Sequence, residues 1–90
     1  MKRLTKELTI QNRLGLHARP SAMFAKVSGN HKSEIWVEKD GETVNGKSIM
    51  GLMMLAAGEG STLSVTAEGE DAEEALSALE NLVTRHFDEE

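Results

Sequence analysis

Ninety residues, none of them cysteine, allow one small core held by packing alone, without disulfide or thiolate-metal support. A net charge of −5 and an aromatic content of 3% argue against a nucleic-acid surface, which needs a basic face with stacking rings. No stretch approaches the ~20 apolar residues of a membrane span, and the basic start Met1-Lys2-Arg3 has no apolar run behind it, so no signal peptide or membrane contact is expected.

The first element is a half-buried strand, where Leu8 and Ile10 alternate with Glu7, Thr9 and Gln11. A loop with Gly15 follows, and then a helix over 18–28 with Pro20, Met23, Phe24 and Val27 at helical spacing. Gly29-Asn30 should end it with a left-handed cap. A second strand is expected over 33–38, with Ile35 and Val37 on one face and Trp36 on the other. The Asp40-Gly41 pair signals a hairpin turn, and 43–45 would be the return strand.

Residues 48–55 read as a short helix with Ser48 as N-cap, ended by Ala57-Gly58-Glu59-Gly60. Leu63, Val65 and Ala67 alternate with polar residues in a further strand, and Glu68-Gly69-Glu70-Asp71 makes a turn. The last helix lines up Ala72, Ala75, Leu76, Leu79, Leu82, Val83 and His86 on one face, with Asp71 as N-cap. The order is β-α-β-β-α-β-α. Strands that alternate apolar and polar residues are covered on one face only. The expectation is an α+β fold with one domain over 1–90, helices on one side of the sheet and a wet face carrying Trp36.

The chemistry concentrates at Gly15-Leu16-His17-Ala18-Arg19-Pro20. Gly15 permits a tight turn before His17, and Pro20 suits a first helical turn. The free amides expected around residues 18–21, Ala18 and Pro20 marking the helix start, form a partial positive pole that attracts anions. Arg19 adds a planar charged fork suited to phosphate oxygens. A histidine nitrogen attacks phosphorus only when neutral. The helix pole and Arg19 both favour the neutral ring, and both then favour an added phosphoryl group.

Other chemistries fit less well. His31 and His86 have no ligand-like spacing to His17, so no metal site is expected. Ser21 lies four residues on from His17, but nothing marks it as a nucleophile. Gly41-x-x-x-x-Gly46-Lys47-Ser48 meets the bare spacing of a nucleotide loop. Its context fails, because the pattern starts in a hairpin turn and runs into a short helix.

Ser48 caps an unusually apolar helix: Ile49, Met50, Leu52, Met53, Met54 and Leu55. Only one face of so short a helix can enter the core. Leu52 and Leu55 belong there, which leaves some of Ile49, Met50 and Met53 exposed as an adaptable surface.

Two runs carry a family resemblance: Gly15-Leu16-His17-Ala18-Arg19-Pro20-Ser21-Ala22 and Asn45-Gly46-Lys47-Ser48-Ile49-Met50-Gly51-Leu52-Met53-Met54-Leu55. At these residues the chain resembles HPr, the histidine-containing phosphocarriers of the bacterial phosphoenolpyruvate-dependent phosphotransferase system, over nearly its whole length. The resemblance implies an open-faced β-sandwich, a four-stranded antiparallel sheet with three helices on one face. It implies that His17 takes a phosphoryl group on Nδ1 from phosphorylated Enzyme I, assisted by Arg19, and passes it to the histidine of an enzyme IIA domain. It implies that Ser48 is the serine modified by HPr kinase/phosphorylase, and that Ile49, Met50 and Met53 are the docking surface for partners. Such a protein is a cytoplasmic stoichiometric carrier, not an enzyme, and needs no cofactor.

The resemblance leaves the branch open. Lys47-Ser48-Ile49-Met50-Gly51 is similar to chains that meet the serine kinase, while Phe87-Asp88-Glu89-Glu90 is similar to the nitrogen-branch paralogue. The regulatory paralogue without the active histidine does not fit, because His17 is present. A regulatory module acting mainly through Ser48 is the competing reading, and a structural domain without phosphate chemistry is the third.

Overall fold

A computed structural model describes residues 2–89; Met1 and Glu90 lie outside the described residues. In chain order the elements are β1 (Lys2–Thr9), α1 (Ala18–Gly29), β2 (Glu34–Lys39), β3 (Glu42–Asn45), α2 (Ile49–Met54), β4 (Thr62–Gly69) and α3 (Ala72–Thr84), followed by a short turn at His86–Asp88. The strands form one sheet in the order β1-β4-β2-β3, with every neighbouring pair antiparallel. This is the expected open-faced β-sandwich.

Period-2 alternation sets which face is buried. Leu8 of β1 pairs with Leu63 of β4, and Val65 and Ala67 of β4 pair with Val37 and Ile35 of β2. All of these are buried and pack with Phe24, Leu52, Leu79 and Leu82 from the three helices in one apolar cluster. Lys6 shares the inward parity of Leu8 but lies on an edge strand, and it reaches Glu80 of α3 at 2.6 Å. The opposite face is polar. There Thr5 and Thr66 share a hydrogen bond of 2.8 Å, and the Arg3 guanidinium lies 5.3 Å from the Trp36 ring centroid.

Four local expectations need correction. First, α1 does not end in a left-handed cap. Asn30 has φ −77 and ψ −6, and its amide bonds back into the last helical turn. Second, Asp71 stands at the N-cap position of α3 but makes no side-chain cap bond. Its carboxylate instead accepts from Lys32 N–H at 2.9 Å, Ser33 N–H at 2.9 Å and the Ser33 hydroxyl at 2.5 Å. It ties the start of β2 to the start of α3. Third, Glu68 and Gly69 belong to β4 rather than to the turn after it. Fourth, His86 is not on the core face of α3. The helix stops at Thr84, and His86, Phe87 and Asp88 follow with φ of 58, 54 and 60. Phe87, not His86, plugs the core there and is fully buried.

Candidate functional site

The loop before α1 is tied down on two sides. Gly15 has φ +68, and a Cβ there would come within 2.3 Å of Ala57 O and 2.7 Å of Gly58 Cα. Only glycine permits this close pass, which lets Leu16 N–H donate to Ala57 O at 2.8 Å. The segment leading into His17 is therefore anchored to the segment after α2. From the other side, the buried Ser21 hydroxyl donates to Leu16 O at 3.1 Å, and Ser21 N–H donates to His17 O at 3.0 Å. Ser21 thus has a structural partner for each of its donors, which accounts for its position four residues beyond His17.

His17 occupies the N-cap of α1 with extended backbone, φ −80 and ψ −166, and its side chain caps nothing. The amide pole is narrower than residues 18–21 suggested. Pro20 has no N–H, and that of Ser21 is bonded to His17 O. Ala18 and Arg19 are the first-turn residues whose amides have no intrahelical acceptor. Arg19 is exposed and lines an open cleft of about 380 Å³ with Arg13, Leu14, Asp88 and Glu89.

The imidazole is held along one edge. Nε2 lies 3.1 Å from Glu89 Oε2 and 3.3 Å from Oε1. Glu89 is in turn bonded by Asn12 Nδ2 at 3.1 Å, and the same amide donates to Gly15 O at 2.9 Å. Two acceptors around that atom fix which way the buried Asn12 amide points. No hydrogen bond engages His17 Nδ1 among the described residues. The His17 side chain is 37% exposed and that of Glu89 17%.

Asn12 and Glu89 were missed by sequence reasoning. Asn12 looked like an ordinary loop residue. Glu89 reaches His17 only because the chain reverses after Arg85 through three consecutive left-handed residues, none of them glycine. The other two histidines have partners of their own. His31 Nδ1 is 3.5 Å from Asp71, and His86 Nε2 is 3.1 Å from Gln11 Oε1.

Comparison with known proteins decides the family. The profile described as "PTS HPr component phosphorylation site" matches residues 4–85. The chain belongs to the HPr family. It is 48% identical to the phosphocarrier protein HPr of Neisseria meningitidis serogroup A, over 96% of this chain and 97% of that one. It is 50% identical to the HPr-like protein Crh of Halalkalibacterium halodurans, over 82% and 88% of the two chains. The crystal structure of an HPr from Thermoanaerobacter tengcongensis superposes with a TM-score of 0.90 at 48% identity, covering 100% of this chain and 99% of that one. The chain is thus an HPr phosphocarrier of the phosphotransferase system.

The second HPr-like run also takes a defined geometry. Ser48 is the N-cap of α2, and its hydroxyl oxygen accepts from Gly51 N–H at 3.0 Å. Gly51 allows this approach, since a Cβ there would press at 3.2 Å on both Ser48 Oγ and Val44 Cβ. The helix divides as its pattern implies. Leu52 and Leu55 are buried, while Ile49, Met50, Met53 and Met54 are 44, 73, 43 and 67% exposed. Leu14, on the rim of the Arg19 cleft, is 66% exposed. Met54 and Leu14 extend the exposed apolar set beyond the three residues read from the sequence.

Proposed function

We propose that this chain, as a single HPr-like domain over 1–90, carries a phosphoryl group on His17. The group arrives from phosphorylated Enzyme I and leaves to the histidine of an enzyme IIA domain. The observation that carries this reading is an imidazole at an uncapped helix start, with Nε2 engaged by Glu89 and Nδ1 without a hydrogen bond among the described residues. In the transfer, the Nδ1–P bond forms as the bond from phosphorus to the donor breaks, and the donor group departs with that electron pair. The amides of Ala18 and Arg19 and the Arg19 guanidinium receive the phosphoryl oxygens.

The protein acts as a stoichiometric carrier in the cytoplasm, without a cofactor and without catalysing a reaction of its own. Among the described residues, no helix is long and apolar enough to cross a membrane. The exposed Ile49, Met50 and Met53 dock Enzyme I and enzyme IIA. The tie from Leu16 to Ala57 supports this reading, because it joins the loop before His17 to the segment that follows α2.

The test is incubation with phosphoenolpyruvate and Enzyme I, followed by mapping of the modified residue. The parent chain is expected to gain one acid-labile phosphoryl group on His17, and His17→Ala to gain none. Equal labelling of the two chains would sink the proposal.

Ser48 is the regulatory site, modified by HPr kinase/phosphorylase. A phosphate there adds about −1.5 to −2 charge beside the exposed apolar side chains of α2. It repels acidic partners and raises the desolvation cost of docking. Ser48→Asp is expected to slow labelling of His17 by Enzyme I, seen as a raised KM. Labelling kinetics unchanged in Ser48→Asp and in the Ser48-phosphorylated chain would remove this regulation.

A further inference from the structure

The turn at His86–Asp88 is costly backbone. Three successive non-glycine residues at positive φ each oppose the ordinary preference of an L-residue. Local contacts hold the turn in place. Phe87 is fully buried in the core cluster. Asp88 N–H donates to Arg85 O at 2.9 Å, Glu89 N–H donates to His86 O at 2.8 Å, and Arg85 Nε pairs with Asp88 at 3.1 Å. The outcome of this anchored reversal is the position of one carboxylate. Glu89 returns to the start of α1, takes a hydrogen bond from the buried Asn12 amide and faces His17 Nε2 at 3.1 Å. Strained backbone that delivers one side chain to a reactive group is the pattern expected of a functional constraint.

We propose that Glu89 is a positioning residue for phosphoryl transfer at His17. Its carboxylate accepts the Nε2–H and so leaves the Nδ1 lone pair as the nucleophile. This inference rests on the phosphocarrier reading and deepens it. A carboxylate is an acceptor only, so a neutral ring beside it bonds by placing its proton on Nε2. Nδ1 then has no proton to lose before it attacks phosphorus. As the Nδ1–P bond forms, the ring gains positive charge while Nε2 keeps its proton, and Glu89 faces that charge directly. When the group moves on, the Nδ1–P bond breaks and the ring returns to the same neutral tautomer. No proton need enter or leave in either direction. Asn12 completes the arrangement by donating to Glu89 Oε1, while Oε2 is the oxygen nearer to the ring nitrogen.

Glu89→Ala and Glu89→Gln separate positioning from charge. The first readout is the ring nitrogen and Nε2–H NMR signals of His17 in the unphosphorylated chain. In the parent, the Nε2–H tautomer should dominate, with a proton slowed in exchange. In Glu89→Ala that proton should exchange freely, and the nitrogen shifts should move toward the mixture of a free imidazole. Glu89→Gln, which retains an acceptor oxygen, should restore the tautomer.

The second readout is the rate of labelling from Enzyme I. It should fall about tenfold or more in Glu89→Ala, the scale of a lost charge-assisted hydrogen bond, and should be partly restored in Glu89→Gln. Thermal melts should stay near the parent, because Phe87 still anchors the turn. Ring signals that do not change in Glu89→Ala overturn the role of Glu89, as does labelling at the parent rate. A parent chain that never labels overturns the phosphocarrier reading itself, which the ring signals alone do not touch.

Discussion

The first two helices begin in opposite ways. Ser48 closes the start of α2 with its own hydroxyl, which accepts from Gly51 N–H at 3.0 Å. His17 occupies the equivalent position of α1 and caps nothing; its ring turns to Glu89 instead. A helix start has only a few orphan donors. When a side chain satisfies them, the start is stable and quiet, and modifying that side chain disturbs a structural bond. When they are left open beside an arginine and an imidazole, the start is less stable and able to receive an anion. The same position is thus closed by a hydroxyl in one helix and left open in the other, where the proposed function puts the phosphoryl chemistry.

The largest way to break this contrast is to close the space that keeps the first start in place. Gly15→Ala puts a methyl group within 2.3 Å of Ala57 O at a residue with φ +68. The backbone contact is rigid, so the loop must move. The expected cost is about 2 kcal/mol or more in chemical unfolding, together with slower labelling of His17. An alanine variant with the parent's unfolding midpoint would show that the tie between the two regions is not what holds His17.

Removing the two N-cap side chains sharpens the contrast further. Ser48→Ala loses a cap hydrogen bond and should cost about 1 kcal/mol. His17→Ala loses no cap bond, and its effect on stability should stay within about 0.5 kcal/mol while labelling disappears. If urea unfolding shows equal losses for the two variants, His17 stabilises its helix after all and the opposition between the two starts fails.

The legible parts of the molecule are those governed by local periodicity. The alternation of Leu63, Val65 and Ala67 fixes the face of β4 that meets the helices, and all three are fully buried. Asp40-Gly41 marked the hairpin, and both residues take positive φ, 52 and 87. The second motif carried its own cap, so Ser48 and the division of α2 into buried and exposed sides could be read directly. The tail could not. A reversal through His86, Phe87 and Asp88 has no glycine to announce it and exists because Phe87 finds the core. Helical periodicity carried past Thr84 put His86 on the buried face and gave no reason to bring Glu89 to His17. Asn12 was hidden for the same reason, since its partner is 77 residues away in the chain.

A third helix start tests whether residue type alone predicts a cap. Asp71 is a favoured N-cap residue, yet its carboxylate leaves α3 uncapped and binds the start of β2. The Ser33 hydroxyl is the strongest influence on it. The Lys32 and Ser33 amides and the nearby His31 add to that, and together they outweigh the opposing effect of desolvation. They hold its carboxyl well below the usual carboxylate range. A carboxyl depressed on folding contributes stability in full above its unfolded value of about 3.9, and loses it as the pH falls from there toward the folded value. Asp71→Asn should therefore melt at a lower temperature than the parent near neutral pH. That gap should hold down to about pH 5 and shrink progressively below about pH 4. A gap that stays constant from neutral pH to about pH 2 would mean that the Asp71 charge does not join β2 to α3. The third start would then differ from the second only in shape.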